Sequence, residues 1–432
     1  MSKKINSNLA NRITSEAKRA HTKFERKYGN FAPDWDYIFP NLGAAGNYSE
    51  AEKNVANKVI LQSRSQLSLH EGSGIFGDIS RGAHAIVAMH YTSEIADSLK
   101  LNERKKTHLR MAALLHDLGH PVFSHEVDRI IEKQIGLDHD EYLQKELRDG
   151  KLGKQLKKHG LNPKLVADYA AGKKEGVILT EYADRMSYAA LDAQRLFGRN
   201  KRVKKVRKAV KEMKNNFTLN NSKIVMKNEG IAKRFFKLLL LNWQEGYQGL
   251  PITLNGAALN KAVQIGLKEK MLDLKELRTG DEFQTYNKLY AHPKIHSILK
   301  LGNAFFTNQL DQKTSFGIIN YDADLREHGK LQELGENISL IHLKNLTAKG
   351  QKLLKNGELK KLLEKNVEKK IPFHEFIVGQ SVTRKPFAFY NKDGKEKILK
   401  PNEGNMVVVL SSHHSEAKNI FNETLKPFIK KR

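Results

Sequence analysis

Residues 116–128 read His-Asp-Leu-Gly-His-Pro-Val-Phe-Ser-His-Glu-Val-Asp, HDLGHPVFSHEVD in one-letter form. The 432-residue chain holds 17 histidines, and three of them fall between positions 116 and 125, with Asp117 and Asp128 alongside. The preceding stretch, Lys106–Leu115, reads as a helix, and Gly119 with Pro121 is expected to stop it. A helix ending on His116-Asp117 can present one imidazole nitrogen and one carboxylate oxygen to the same cation. Such a donor pair suits Fe, Mn, Co, Ni, Zn or Mg. The chain has no cysteine, which removes disulfides, thiolate metal sites and cysteine nucleophiles together.

Two ligands do not make a site. His84 lies one helix upstream, in Arg81-Gly-Ala-His84, and Asp184 downstream, in Glu181-Tyr-Ala-Asp184-Arg185. Both sit in helical context among apolar neighbours, where an unpaired carboxylate is costly. Taken alone, His84 reads equally as a satisfied core histidine and Asp184 as a helix cap or surface acid. Their order around the dense 116–128 cluster makes His84, His116, Asp117 and Asp184 candidate ligands of one ion.

Outward from this centre the pattern is helical. Val87, Tyr91, Ile95 and Leu99 share one face, and Leu109, Ala112, Ala113, Leu115 and Leu118 cluster on another. Lys201 to Lys214 (KRVKKVRKAVKEMK) keeps Val203, Val206 and Val210 at helical spacing, so it reads as a basic amphipathic helix. Its cationic face is either solvated or a surface for nucleic acid. Beyond residue 370 the period changes. Ile371–Ser381, Phe387–Asn391, Glu396–Leu399 and Met406–Leu410 read as short strands, with Asn391-Lys-Asp-Gly394 as a hairpin turn. The expected architecture is mainly α: an N-terminal segment over 1–55, a helical core and extension over 56–330, and a small α+β region over 331–432. That last region reads as a lid, an oligomerisation element or a regulatory one.

Lys+Arg 75 against Asp+Glu 48 gives a net charge of +27, which favours polyanionic company such as nucleic acid or nucleotide phosphates. No stretch approaches the roughly 20 apolar residues of a membrane-spanning helix. The basic N-terminus (MSKKINSNLANR) has no apolar run behind it, so it does not read as a secretory signal and a cytoplasmic protein is expected.

The order H…HD…D resembles the signature of the HD-domain superfamily of metal-dependent phosphohydrolases. The longer string is similar to the deoxynucleoside triphosphate triphosphohydrolases, both the bacterial dGTPase group and the vertebrate dNTPase that restricts retroviruses. Two departures stand out: Pro121-Val122 replace a small residue followed by proline, and His139-Asp140 carries Asp where the family has Glu. The resemblance covers roughly residues 58–200, with a weaker echo in Tyr286–Ile295.

That resemblance implies the four-residue metal set above and a divalent ion among Mn, Fe, Mg, Ni and Zn. It implies an acid/base group of His120, His125, Asp128 and His139. Imidazole suits that work because its unperturbed pKa of about 6.5 lets it give and take protons near neutrality. His139 or His120, oriented by Asp128, would protonate the leaving oxygen, and His125 would contact phosphate. Arg81 and Arg185 would hold triphosphate oxygens through paired hydrogen bonds, or else form ordinary salt bridges. Gln66 and Asp192 would grip the 3′-hydroxyl and Tyr188 would face the sugar. Leu67 would crowd a 2′-hydroxyl, or serve simply as a core leucine. The implied reaction is dNTP plus water giving deoxynucleoside and inorganic tripolyphosphate, by a homo-oligomer. Two other readings compete: an HD-domain nuclease or phosphodiesterase on single-stranded nucleic acid, and a nucleic-acid-binding protein on an inactive HD scaffold.

Overall fold

The computed structural model describes residues 81–189, 201–221, 223–243, 250–280, 282–302, 338–342, 345–380, 387–399, 406–411 and 413–430. The fold is mainly helical with a few short C-terminal strands. Helix α1 (Arg81–Ser98) packs along α2 (Glu103–Leu115). The Asn102 side chain caps α2 by accepting the Lys105 amide at 3.0 Å, which starts the helix a turn before Lys106. Helix α3 (His125–Ile135) stops at Gly136, whose φ of 71° suits a residue without a Cβ. Helix α4 (His139–Arg148) opens on a capping box in which Asp138 and Glu141 satisfy each other's backbone amides. Helices α5 (Lys151–Lys158) and α6 (Pro163–Ala170) follow, the second capped by Asn162 with proline in its first turn. A π-helical segment, Ile178–Ala183, then runs into Asp184.

The lysine-rich stretch is helix α7 (Lys201–Met213): Val206, Ala209, Val210 and Met213 are buried, and Lys204, Lys205, Lys208 and Lys211 are exposed. It leads through a hairpin, β1 (Phe217–Asn220) and β2 (Lys223–Met226), which sequence pattern missed, to helix α8 (Glu229–Asn242). Next come α9 (Leu250–Lys268), α10 (Leu274–Thr279), α11 (Glu282–Tyr290) and α12 (Pro293–Gly302). The C-terminal part comprises β3 (Ile338–His342), α13 (Ala348–Lys355), α14 (Glu358–Glu368), β4 (Phe376–Gln380), β5 (Phe387–Tyr390), β6 (Glu396–Leu399), β7 (Met406–Ser411) and α15 (His414–Leu425). The strand expected from Ile371 begins only at Phe376, because residues 373–375 after Pro372 form a 3-10 turn.

Three apolar cores organise these elements. The first joins α1, α2, α4, α6, the π-helical segment, α7 and α8. The second joins α3 to α9, α11 and α12, and also takes in Val122 and Phe123 from the loop before α3. The third lies under α13, α14 and α15. A three-stranded antiparallel sheet, ordered β3-β7-β4, separates the last two. In β7, Val407 and Val409 face the third core while Met406 and Val408 face the second, so alternation buries both faces and the strand reads as an unbroken apolar run. The β5–β6 hairpin, inserted between β4 and β7, instead sends Phe387 and Phe389 into the first core.

One charged side chain crosses the seam between α9 and the sheet. Lys261 is buried, its ammonium donates to the Phe376 carbonyl at 2.6 Å, and it lies over the Phe373 and Phe376 rings. Burial pushes this amine down to about 7, against the opposing pull of Glu364 and Glu368. The folded chain therefore releases the proton near pH 7, whereas the unfolded chain keeps it to about 10.5. Between those values the unfolded state binds more protons, so native stability rises with pH across the window. Lys261→Met removes that slope. Its stability relative to the parent is expected to be greater at pH 6 than at pH 9.5 by about 3 kcal/mol, read from urea midpoints. An identical stability difference at both pH values would refute the assignment.

Candidate active site

Four side chains from three parts of the first core converge. His84 comes from the first turn of α1, His116 is the residue on which α2 ends, Asp117 follows it, and Asp184 follows the π-helical segment. A π-helical turn adds a residue to the helical repeat and re-aims the side chains after it, here that of Asp184. His84 Nε2 lies 2.9 Å from Asp184 Oδ1 and 3.5 Å from Asp117 Oδ2. His116 Nε2 lies 3.3 Å from Asp117 Oδ1 and 3.4 Å from Asp184 Oδ1.

The other nitrogen of each ring settles which tautomer is present. His116 Nδ1 is 2.7 Å from the Ala113 carbonyl, which only accepts, so Nδ1 carries the proton. His84 Nδ1 is 2.9 Å from Ser187 Oγ, whose single hydrogen is already directed to the Asp184 carbonyl at 2.7 Å. Ser187 must therefore accept from His84 Nδ1–H. In the neutral rings both Nε2 lone pairs thus face carboxylate oxygens, acceptor against acceptor, an arrangement that a shared cation would satisfy. His116 Nε2 is buried without a hydrogen-bond partner among the described residues. Burial lowers the His116 pKa, but Asp117 and Asp184 outweigh it and raise it to about 9, which registers the negative field of the cluster. Donor atoms each about 2.1 Å from one ion stand roughly 3.0–3.4 Å apart, matching the 2.9 to 3.5 Å found here. The residues fit a divalent metal.

The second cluster begins where the chain leaves that centre. Helix α2 ends before Gly119, so the glycine serves a purpose other than stopping it. A Cβ there would lie 2.1 Å from the His139 carbonyl oxygen, so loop 117–124 crosses the start of α4 at backbone contact. The crossing stacks His120 on His139 with ring centroids 3.9 Å apart. Asp128, one turn into α3, is hydrogen-bonded through Oδ2 to His125 Nδ1 at 3.0 Å, and the same oxygen lies 2.9 Å from His139 Nδ1 and 3.6 Å from His120 Nδ1. Burial pushes the Asp128 carboxyl up, but the three imidazoles outweigh it and hold it well below the ordinary carboxylate range. Burial likewise lowers His139, and Asp128 reverses that, leaving its pKa raised. His120 joins the clusters, its Nε2 being 3.7 Å from Asp117 Oδ1.

The loop between them is strained. Phe123 and Ser124 both take positive φ, 64° and 54°, without being glycine. Such conformations cost about 1–3 kcal/mol each and persist only where the surroundings dictate them. Here the Val122 amide donates to the Leu277 carbonyl at 2.7 Å and the Phe123 amide to Glu282 Oε2 at 3.3 Å, while both side chains are buried.

The remaining expected residues are distributed unevenly. Arg185 forms an ion pair with Glu181 at 2.6 Å and stacks on the Phe387 ring at 4.7 Å. Its Nη1 is buried without a hydrogen-bond partner among the described residues, an open donor for an anion. Tyr188 is half-buried against the first core. The Arg81 backbone opens α1, while Gln66, Leu67 and Asp192 lie outside the described residues. Sequence reasoning missed Ser187, Leu277 and Glu282. Ser187, three residues after Asp184, was findable as a helix neighbour; the other two are separated from the loop by more than a hundred residues and carry no local signal.

The family model described as HD domain matches residues 81–227, the span that holds every residue of both clusters. No curated protein matches the chain significantly. Among solved structures, a hypothetical protein from Aquifex aeolicus aligns at 18% identity over 86% of this chain and 96% of its own, with a TM-score of 0.49. A phosphohydrolase from Bacteroides thetaiotaomicron aligns at 13% identity over 83% of this chain and 94% of its own, with a TM-score of 0.52. At that identity the second structure establishes a shared fold and no more. With its histidine–aspartate centre assembled inside the matched span, residues 81–227 are identified as an HD domain.

Proposed function

We propose that the chain hydrolyses deoxynucleoside triphosphates to deoxynucleoside and inorganic tripolyphosphate. The observation that carries the reading is the contiguity of the two clusters through His120, 3.7 Å from Asp117 and 3.6 Å from Asp128. Cleaving a phosphate ester requires charge neutralisation at phosphorus and a proton for the leaving oxygen, within one substrate's reach of each other. A divalent ion held by His84, His116, Asp117 and Asp184 supplies Lewis acidity toward the phosphate. Asp128 faces His139 and His125 on their Nδ1 sides, which leaves the Nε2 side of each ring to meet the substrate, with Asp140 3.6 Å from His139 Nε2. His139, with its pKa raised and Asp128 beside its Nδ1, is the better placed donor to the leaving sugar oxygen. His125, exposed at the start of α3, is suited to a phosphate oxygen. The open nitrogen of Arg185 offers a further charge-assisted contact.

The choice of substrate rests on the resemblance over residues 58–200, in which Gln66, Leu67, Tyr188 and Asp192 would read the deoxyribose. Incubation with the four dNTPs and four NTPs in Mn, Mg, Fe, Ni or Zn, resolving tripolyphosphate from pyrophosphate, tests it. Tripolyphosphate from dNTPs alone is expected. Nucleoside monophosphate with pyrophosphate would sink the substrate assignment while leaving the metal centre intact.

A second reading, a phosphodiesterase on single-stranded nucleic acid, draws support from the row of exposed cations on α7, Lys204, Lys205, Lys208 and Lys211. Labelled oligonucleotides in the same assay separate the two: strand cleavage at low salt without tripolyphosphate release from dNTPs favours the second.

A further inference from the structure

We propose that Glu282, on α11 and beyond the matched HD span, is a positioning residue for the acid/base cluster. The proposal rests on the reading of that cluster as catalytic. It starts from where α3 is anchored. The metal set is built on elements of the first core, whereas α3 buries Val127 and Ile131 in the second. His125 and Asp128 therefore hang on a different core from the ligands they must work beside. Loop 117–124 carries the chain from the metal ligands into α3, and its last two residues hold positive φ.

The contacts that hold this loop come from α10 and α11. The Leu277 carbonyl accepts the Val122 amide, and Glu282 Oε2 accepts the Phe123 amide. Glu282 is 3% exposed, so a carboxylate side chain is buried at the strained turn itself. Apolar packing alone would not select it there, since burying a carboxyl is unfavourable without polar partners. Helix α9 secures the far side of the same element, with Asn260 Nδ2 donating to the Glu126 carbonyl at 2.5 Å. Glu282 thus fixes the turn from which α3 departs, and so the distance from His125 and Asp128 to His139 and Asp117. It acts through the backbone of Phe123.

Three variants of the full-length, metal-loaded protein test this. Glu282→Ala is expected to lower kcat by about 30- to 100-fold, the usual effect of a displacement near 1 Å at a reacting group, with KM and bound metal within about 2-fold. Glu282→Gln, whose amide oxygen can still accept from Phe123, is expected to recover most of that kcat. Leu289→Ala truncates a fully buried side chain of the same helix, so it is expected to lower Tm at least as much while keeping kcat within about 3-fold. Hydrogen exchange gives a readout independent of any substrate. Exchange over residues 121–125 should accelerate at least 10-fold in Glu282→Ala and remain near the parent rate in Glu282→Gln and Leu289→Ala. Unchanged exchange and kcat in Glu282→Ala would overturn the proposal, as would a kcat that falls with Tm across all three. Absence of dNTP hydrolysis by the parent would instead count against the substrate reading, with exchange still deciding the role of Glu282.

Discussion

Asp117→Ala is expected to reduce hydrolysis by on the order of 10³-fold or more, and to lower bound metal with it. Asp117 is in contact with both clusters: Oδ2 faces His84, and Oδ1 faces His116 and His120. Its removal takes away a candidate oxygen ligand and one of the two carboxylates that raise His116. The chain should still fold, because the residue belongs to a turn and contributes nothing to the apolar cores. Metal content by plasma mass spectrometry, activity and Tm measured on one preparation test this. Full metal occupancy together with parental activity would remove Asp117 from the centre. Loss of activity with full occupancy would make its role electrostatic toward the substrate.

Gly119→Ala is the second large effect. The added methyl would stand 2.1 Å from the His139 carbonyl oxygen and 3.0 Å from Leu143 Cβ. The first neighbour is backbone and cannot rotate away, so the loop and the start of α4 must separate. Overpacking of this kind costs about 1–3 kcal/mol. The separation falls between His120 and His139, whose rings stack at 3.9 Å, so an activity loss of about 100-fold is expected. Gly136→Ala provides the contrast. It also lies at the end of α3 and has φ of 71°, yet nothing stands within 4 Å of its added Cβ. It should cost about 1 kcal/mol in urea unfolding and leave kcat unchanged. Equal activity losses in the two variants would show that destabilisation, not loop separation, governs the effect.

The two clusters differ in how openly the sequence carries them. His116, Asp117, His120, His125 and Asp128 lie within thirteen residues, so local density alone exposed them. His84 and Asp184 are single residues on helices 32 and 68 positions from His116, and they gain meaning only from their order relative to that centre. Ser187 is a near miss: its spacing from Asp184 places it on the next helical turn, but nothing in the sequence says its hydroxyl turns toward His84. Leu277 could not have been found at all, since it contributes a backbone carbonyl and any residue offers one.

The fold divides similarly. Amphipathic period revealed α7, and capping residues such as Asn102, Asp138 and Asn162 mark helix starts, because a helix satisfies its own backbone and its signals are local. The β1–β2 hairpin escaped notice because four-residue strands carry too short a period to read. Strand β7 was legible as a strand, but its run of valines does not reveal that alternate residues enter two different cores.

By itself, then, the sequence determined that helices carry a histidine–aspartate centre, since ligand chemistry and helical period are properties of residues and their spacing. Only the tertiary structure decided how that centre is held. The π-helical turn before Asp184 aims its carboxylate, the glycine crossing at His139 brings the His120 and His139 rings together beside Asp117, and Glu282 accepts from the Phe123 amide at the turn into α3. Each of these depends on contacts between segments far apart in the chain, where close packing rather than local preference sets the geometry.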